Sequence, residues 1–128
     1  MEEQVLTNKE TVDGKLKKLM STIRVKVSVI VTVYNFEEEI ADVFRALLKD
    51  LESSGEDFEV IFVDNGSVDS SWKKLKELAA EELRVKLIRM RTNFDESACF
   101  DAGLKQARGE NVVFLSTRVR INPSQVSR

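Results

Sequence analysis

Residues 58–72 read FEVIFVDNGSVDSSW. The first seven are nearly continuously apolar, the pattern of a strand buried on both faces and hence of a parallel sheet. The strand ends in Asp64, a carboxylate that is costly to bury unless it is paired, ligated or hydrogen-bonded. Gly66 then permits a tight turn or a close backbone approach. Ser67 or Asp69 stands where it can cap the next helix, whose free N–H groups suit an anion. An ordinary, well-capped βα loop has the same spacing, so this stretch alone leaves both readings open.

The arrangement recurs on either side. Upstream, VSVIVTVY at 27–34 is β-branched and apolar, and Asn35 is placed as a helix N-cap with Glu37, Glu38 and Glu39 in the first turn. Ile40, Val43, Phe44, Leu47, Leu48 and Leu51 follow on one helical stripe that Gly55 closes. Downstream, 70–83 reads as a helix with Trp72, Leu75, Leu78 and Ala79 inward, and VKLIRM at 85–90 as a buried strand. Residues 97–107 read as a helix stopped by Gly109, and NVVFL at 111–115 as a last strand. Four strands alternating with three helices predict right-handed βαβ crossovers in an α/β fold, three layers (α/β/α) around a mostly parallel sheet. Residues 1–24 lack a clear period and read as an N-terminal arm with one weak helix at most, leaving 25–128 as the domain.

The 128 residues suffice for one domain that buries roughly two-thirds of its unfolded surface. With 20 Lys and Arg against 22 Asp and Glu, the net charge of −2 gives no electrostatic case for nucleic acid or an anionic membrane as main partner. There is no His, which excludes Ser-His-Asp and Cys-His catalysis and His-ligated zinc. Chemistry must rest on carboxylates, hydroxyls, amides or a bound metal. The single Cys99 lies in a helix-like stretch and reads as a buried thiol, in keeping with a reducing compartment. No apolar run approaches the roughly 18 residues of a membrane span and no apolar signal core follows Met1, so the expected location is cytoplasmic, or peripheral to a membrane.

Ligands of open α/β sheets bind at the carboxyl ends of the strands, and here those ends are polar. They are Thr32, Tyr34 and Asn35; Asp64, Asn65, Gly66, Ser67 and Asp69; Arg91, Thr92, Asn93, Phe94 and Asp95; and Ser116, Thr117 and Arg118. Taken in order, VSVIVTVYN, FEVIFVDNGSVDSSW, RTNF and AGLKQARGE resemble the family 2 glycosyltransferases, which have the GT-A nucleotide-sugar-binding fold. Trp72, the Asn93-Phe94 pair and AGLKQARGE are most similar to the branch that moves sugars onto dolichyl or other polyprenyl phosphates. The resemblance covers about Val27 to Pro123. It implies that Thr32, Tyr34 and Asn35 line a nucleotide pocket and that Asp64 and Asn65 face the base and ribose, although the family usually has a second acid at Asn65. Thr32 and Phe36 also depart, standing where Pro and Glu are common.

The largest departure follows the fourth strand. The family places an Asp-x-Asp motif there for the ribose and a Mg²⁺ or Mn²⁺ ion, where this chain has Ser116, Thr117 and Arg118. At an effective dielectric of about 20, one unit charge about 4 Å from a divalent ion is worth roughly 8 kcal/mol before solvation, so exchanging two acids for a hydroxyl and a guanidinium disfavours a metal. No catalytic base is assignable. The expectation is a nucleotide-sugar-binding half domain, truncated before the acceptor half and degenerate or incomplete as a catalyst. Two alternatives stand beside it: a metal-independent sugar transferase in which Arg118 pairs with the diphosphate, and a non-catalytic module that forms a homo-oligomer through an exposed sheet edge.

Overall fold

β-Branched and aromatic runs carry the chain across one sheet, and amphipathic helices return it. The computed structural model describes residues 3–7 and 25–117. Among them the elements are β1 (Glu3–Thr7), β2 (Val27–Val33), α1 (Ile40–Ser54), β3 (Phe58–Asp64), α2 (Ser71–Ala79), β4 (Val85–Met90), α3 (Glu96–Gln106) and β5 (Asn111–Ser116). The sheet order is β1-β4-β3-β2-β5, with β1 antiparallel to β4 and every other pairing parallel. The expected α/β class and mostly parallel sheet are present. β1 lies in the segment expected as an arm, and the rest of 1–24, with the weak helix expected in it, lies outside the described residues.

Each crossover buries an apolar stripe. Phe44 and Leu47 of α1 and Trp72 and Leu75 of α2 pack on Val29, Val31, Val60 and Phe62, with the Phe44 and Phe62 rings stacked at 5.3 Å between centroids. Cys99 and Ala102 of α3 cover the opposite face at Ile30, Ile61, Val63 and Ile88. The three layers follow from this division. From β2 the chain steps through β3 to β4 in one direction, then crosses the other face on α3 to reach β5 on the far side of β2. The β2/β5 boundary is therefore the topological switch point, where such sheets bind ligands.

Several boundaries differ from the sequence expectation for local reasons. Asn35 does not cap α1: its φ of 46° is left-handed, whereas an N-cap is extended. A turn over 37–39 intervenes, held by the Glu39 and Ile40 N–H groups donating to the Phe36 carbonyl at 3.2 and 3.0 Å. α2 stops at Ala79 rather than 83, where the Glu82 N–H turns back to the Ala79 carbonyl at 3.0 Å. β5 lies at the edge of the sheet among the described residues, with Val113 43% and Phe114 47% exposed.

α3 ends at Gln106, before Gly109, because the following backbone is captured by buried side chains from the sheet. Glu59, 4% exposed, accepts from the Ser28 hydroxyl and the Arg108 N–H, both at 2.6 Å, and pairs with Lys86 Nζ at 2.9 Å. Ser28 Oγ accepts in turn from the Gly109 N–H at 2.8 Å, and a Cβ at Gly109 would lie 2.6 Å from Ser28 N. Glycine stands there because the two backbones touch.

Burial pushes the Glu59 carboxyl up, but its hydrogen bonds and Lys86 together hold it below its ordinary value of 4.5. Its stabilising contribution is therefore complete above pH 4.5 and lost as the pH falls through the depressed value. Glu59→Ala should cost about 3 kcal/mol in urea unfolding at pH 7, since it takes the counter-charge from the partly buried Lys86 and the shared acceptor from the Ser28 hydroxyl and the Arg108 N–H. The difference from wild type should shrink in the same measurement at pH 3.

Candidate functional site

Parallel strands deliver all their carboxyl ends to one edge, and there the loops bond to each other through side chains. The Asn35 N–H donates to Ser67 Oγ at 2.8 Å, the Phe36 N–H to Ser71 Oγ at 2.7 Å and the Glu37 N–H to Asp69 Oδ2 at 3.2 Å. In return, Asn35 Oδ1 accepts from the Val68 N–H at 2.9 Å. Ser67 thus serves the neighbouring loop. Asp69 does both jobs, because its Oδ1 also accepts from the Ser71 N–H at 2.9 Å at the start of α2. Its hydrogen bonds outweigh its burial and hold it below the usual carboxylate value.

Asn65 joins the second loop to the third. Its Nδ2 donates to the Phe94 carbonyl at 2.7 Å and its Oδ1 accepts from the Phe94 N–H at 2.8 Å. A carboxylate could make only the second bond, so the amide at this departure from the family has a physical reason. Gly66 has φ 74°, and a Cβ there would lie 2.6 Å from the Thr92 carbonyl carbon, so both conformation and space require glycine.

Asp64 is fully buried. Its Oδ1 accepts from Ser67 Oγ at 2.5 Å, while Oδ2 has no hydrogen-bond partner among the described residues and lies 4.0 Å from Arg89 Nε. Burial pushes its carboxyl up against the opposing pull of Ser67 and Arg89. Cys99 is inert for a similar reason: burial, with Glu96 and Asp95 nearby, pushes its thiol to about 11.

At the switch point, Thr32, Val33, Tyr34, Asn65 and Glu96 line a shallow cleft that opens to solvent. The cleft encloses no ligand-sized volume of its own, so these residues can form one wall of a site at most. The structure places Thr32, Tyr34 and Asn65 beside one another on this cleft, with Tyr34 39% exposed. Asp64 does not line this cleft, and Asn35 is turned to Val68. Glu96 was not anticipated from sequence, where the helix was read from 97. The signal available was an acid beside the Asp95 cap, in the first turn of a helix that follows a strand end.

Glu96 Oε2 accepts from Thr32 Oγ1 at 2.8 Å and from Ser116 Oγ, while Thr117 Oγ1 donates to the Thr32 carbonyl at 2.9 Å. The metal that the family resemblance implies does not fit this donor set. Ser116 and Thr117 donate inward, and no group of three His, Cys, Asp or Glu side chains among the described residues is placed to hold a cation. Arg118 lies outside the described residues.

The fold matches solved glycosyltransferases. Staphylococcus aureus TarS (residues 1–349) in complex with UDP-GlcNAc superposes with a TM-score of 0.59 at 31% identity, over 73% of this chain and 26% of that one. A mannosyltransferase from Pyrobaculum calidifontis, solved with GDP-Man and Mn²⁺, gives 0.59 at 25% identity, over 74% and 28%. The domain thus has the α/β architecture of the GT-A glycosyltransferases. Residues 28–124 match the family described as Glycosyl transferase family 2, and the chain belongs to it. It is 34% identical over 104 residues to the undecaprenyl-phosphate 4-deoxy-4-formamido-L-arabinose transferase of Proteus mirabilis, covering 80% of this chain and 32% of that protein. The chain therefore spans about a third or less of the length of these relatives.

An elevated carboxyl means that the folded state loses stability as Asp64 ionises, from its ordinary 3.8 upward. Asp64→Asn should accordingly raise the melting temperature at pH 7. The gain should fade as the pH is lowered to about 4, as differential scanning calorimetry across that range will show.

Proposed function

We propose that this domain is the nucleotide-sugar-binding part of a family 2 sugar transferase, and that it binds its donor without efficient turnover. The observation that carries the reading is the cleft at the β2/β5 switch point, walled by polar strand ends that the loop-to-loop hydrogen bonds hold rigid. Preorganised walls reduce the entropy lost on binding. The half-exposed Tyr34 ring offers a face for a base, while Thr32 holds the Glu96 carboxylate and Asn65 fixes the backbone at Phe94.

The relatives support a nucleotide-sugar donor: TarS was solved with UDP-GlcNAc and the mannosyltransferase with GDP-Man. The Proteus mirabilis relative, by its name, supports a polyprenyl phosphate as acceptor, which brings the domain to a membrane surface. No helix among the described residues is long and apolar enough to cross one. Loss of turnover rests on Ser116, whose hydroxyl is spent on an internal bond where the family has one acid, and on Arg118, which stands in the sequence where it has the other.

A second reading draws on β5, whose outer edge is unpaired among the described residues and whose Phe114 packs edge-on against Phe100 at 4.7 Å beside solvent. Such an edge suits pairing with a second copy. Light scattering behind size exclusion, showing a dimer that Val113→Lys converts to monomer, will support it.

Isothermal titration with UDP-GlcNAc and GDP-mannose, with and without Mn²⁺, tests the main reading. One of the two should bind without metal, and Tyr34→Ala should weaken it roughly tenfold, the worth of one stacked base. No binding at millimolar ligand would overturn the reading. Chelator-resistant sugar transfer to a polyprenyl phosphate would overturn the loss of turnover and assign the diphosphate to Arg118.

A further inference from the structure

We infer that Glu96 is the carboxylate through which this cleft takes hold of ligand hydroxyls, a role that the family resemblance would give to acids at the end of β5. The inference rests on the nucleotide-sugar reading above and adds to it which residue recognises the hydroxyl-bearing part of the ligand.

Three elements converge on this side chain. It projects from the first turn of α3, and its Oε2 is fixed by the hydroxyls of Thr32 on β2 and Ser116 on β5, the two strands that flank the switch point. With two donors on one oxygen, the carboxylate is locked before any ligand arrives. Oε1 makes no hydrogen bond among the described residues, yet Glu96 is half-buried and lines the cleft. An ionised carboxylate has acceptor capacity for several donors, and here one whole oxygen is unused.

The polarity of this arrangement selects the ligand. A carboxylate accepts from hydroxyls and repels phosphate oxygens, so the part of a nucleotide-sugar that meets Glu96 is a sugar ring, with the diphosphate directed away. Ser116 is a positioning residue: its hydroxyl donates to Glu96 and so holds the acceptor that it does not itself provide. Hydroxyls occur on both the ribose and the transferred sugar, and these two sources are separable by ligand choice.

The test is a calorimetric titration of wild type, Glu96→Gln and Thr32→Val with UDP-GlcNAc, UDP and 2′,3′-dideoxy-UDP, using GDP-mannose and its guanosine counterparts if those are what wild type binds. Glu96→Gln should weaken the sugar nucleotide about tenfold, as expected for a hydrogen bond that loses its charge. Thr32→Val, which leaves the carboxylate but removes one of its two anchors, should weaken it less. An equal loss with UDP, and none with the dideoxy nucleotide, assigns the ribose diol; a loss confined to UDP-GlcNAc assigns the transferred sugar. If Glu96 only pins α3 to the strands, all three ligands will lose affinity alike or none will, and either result overturns the inference while leaving the nucleotide-sugar reading intact. Absence of binding by wild type overturns that reading and the role of Glu96 with it.

Discussion

Side chains bonded to the backbone of a neighbouring loop are what hold the functional edge of this protein in one shape. A parallel sheet brings several strand ends to the same side, and each must reverse into a helix without leaving buried peptide groups unpaired. Here the loops solve the problem for each other. Ser67, Ser71 and Asp69 accept from the loop after β2, Asn35 accepts from the loop after β3, and Asn65 grips Phe94 at both its N–H and its carbonyl. Because each bond joins two loops, no one of them can shift alone, and the cleft inherits its rigidity from that coupling.

β3 carries the contrast between the two edges within seven residues. At its start Glu59 is buried but fully engaged, with a hydroxyl, a backbone amide and a lysine on its two oxygens. At its end Asp64 is buried with one oxygen unsatisfied and a guanidinium only at the limit of ion pairing. The same chemical group is held down at one end of the strand and pushed up at the other. The first edge serves stability. The second retains a polar group whose desolvation is uncompensated, as tends to occur where a protein binds something.

The elements themselves were readable because their cause is local. Buried strands announce themselves by unbroken apolar runs, and α1 by its stripe from Ile40 to Leu51, all of which the structure buries or half-buries. Boundaries were less legible. Asn35 has the right chemistry for a cap, but Val68 claims its side chain from 33 residues away. Gly109 has the right chemistry for a helix stop, but its reason is contact with Ser28 across the sheet. In each case a residue type signalled a local role, and a distant partner reassigned it.

The sequence by itself determined the layers, the parallel sheet, the family and the set of polar strand ends, since periodicity and residue order encode these directly. Only the tertiary structure decided which of those ends share a cleft. Thr32, Ser116 and Glu96 lie on three elements up to 84 residues apart, and they meet because the chain reverses direction across the sheet at β2, which places β5 beside it and α3 over both. Hydrogen bonds act over about 3 Å and take no account of sequence separation. The identity of the carboxylate in the site therefore depended on the crossover, which no local pattern records.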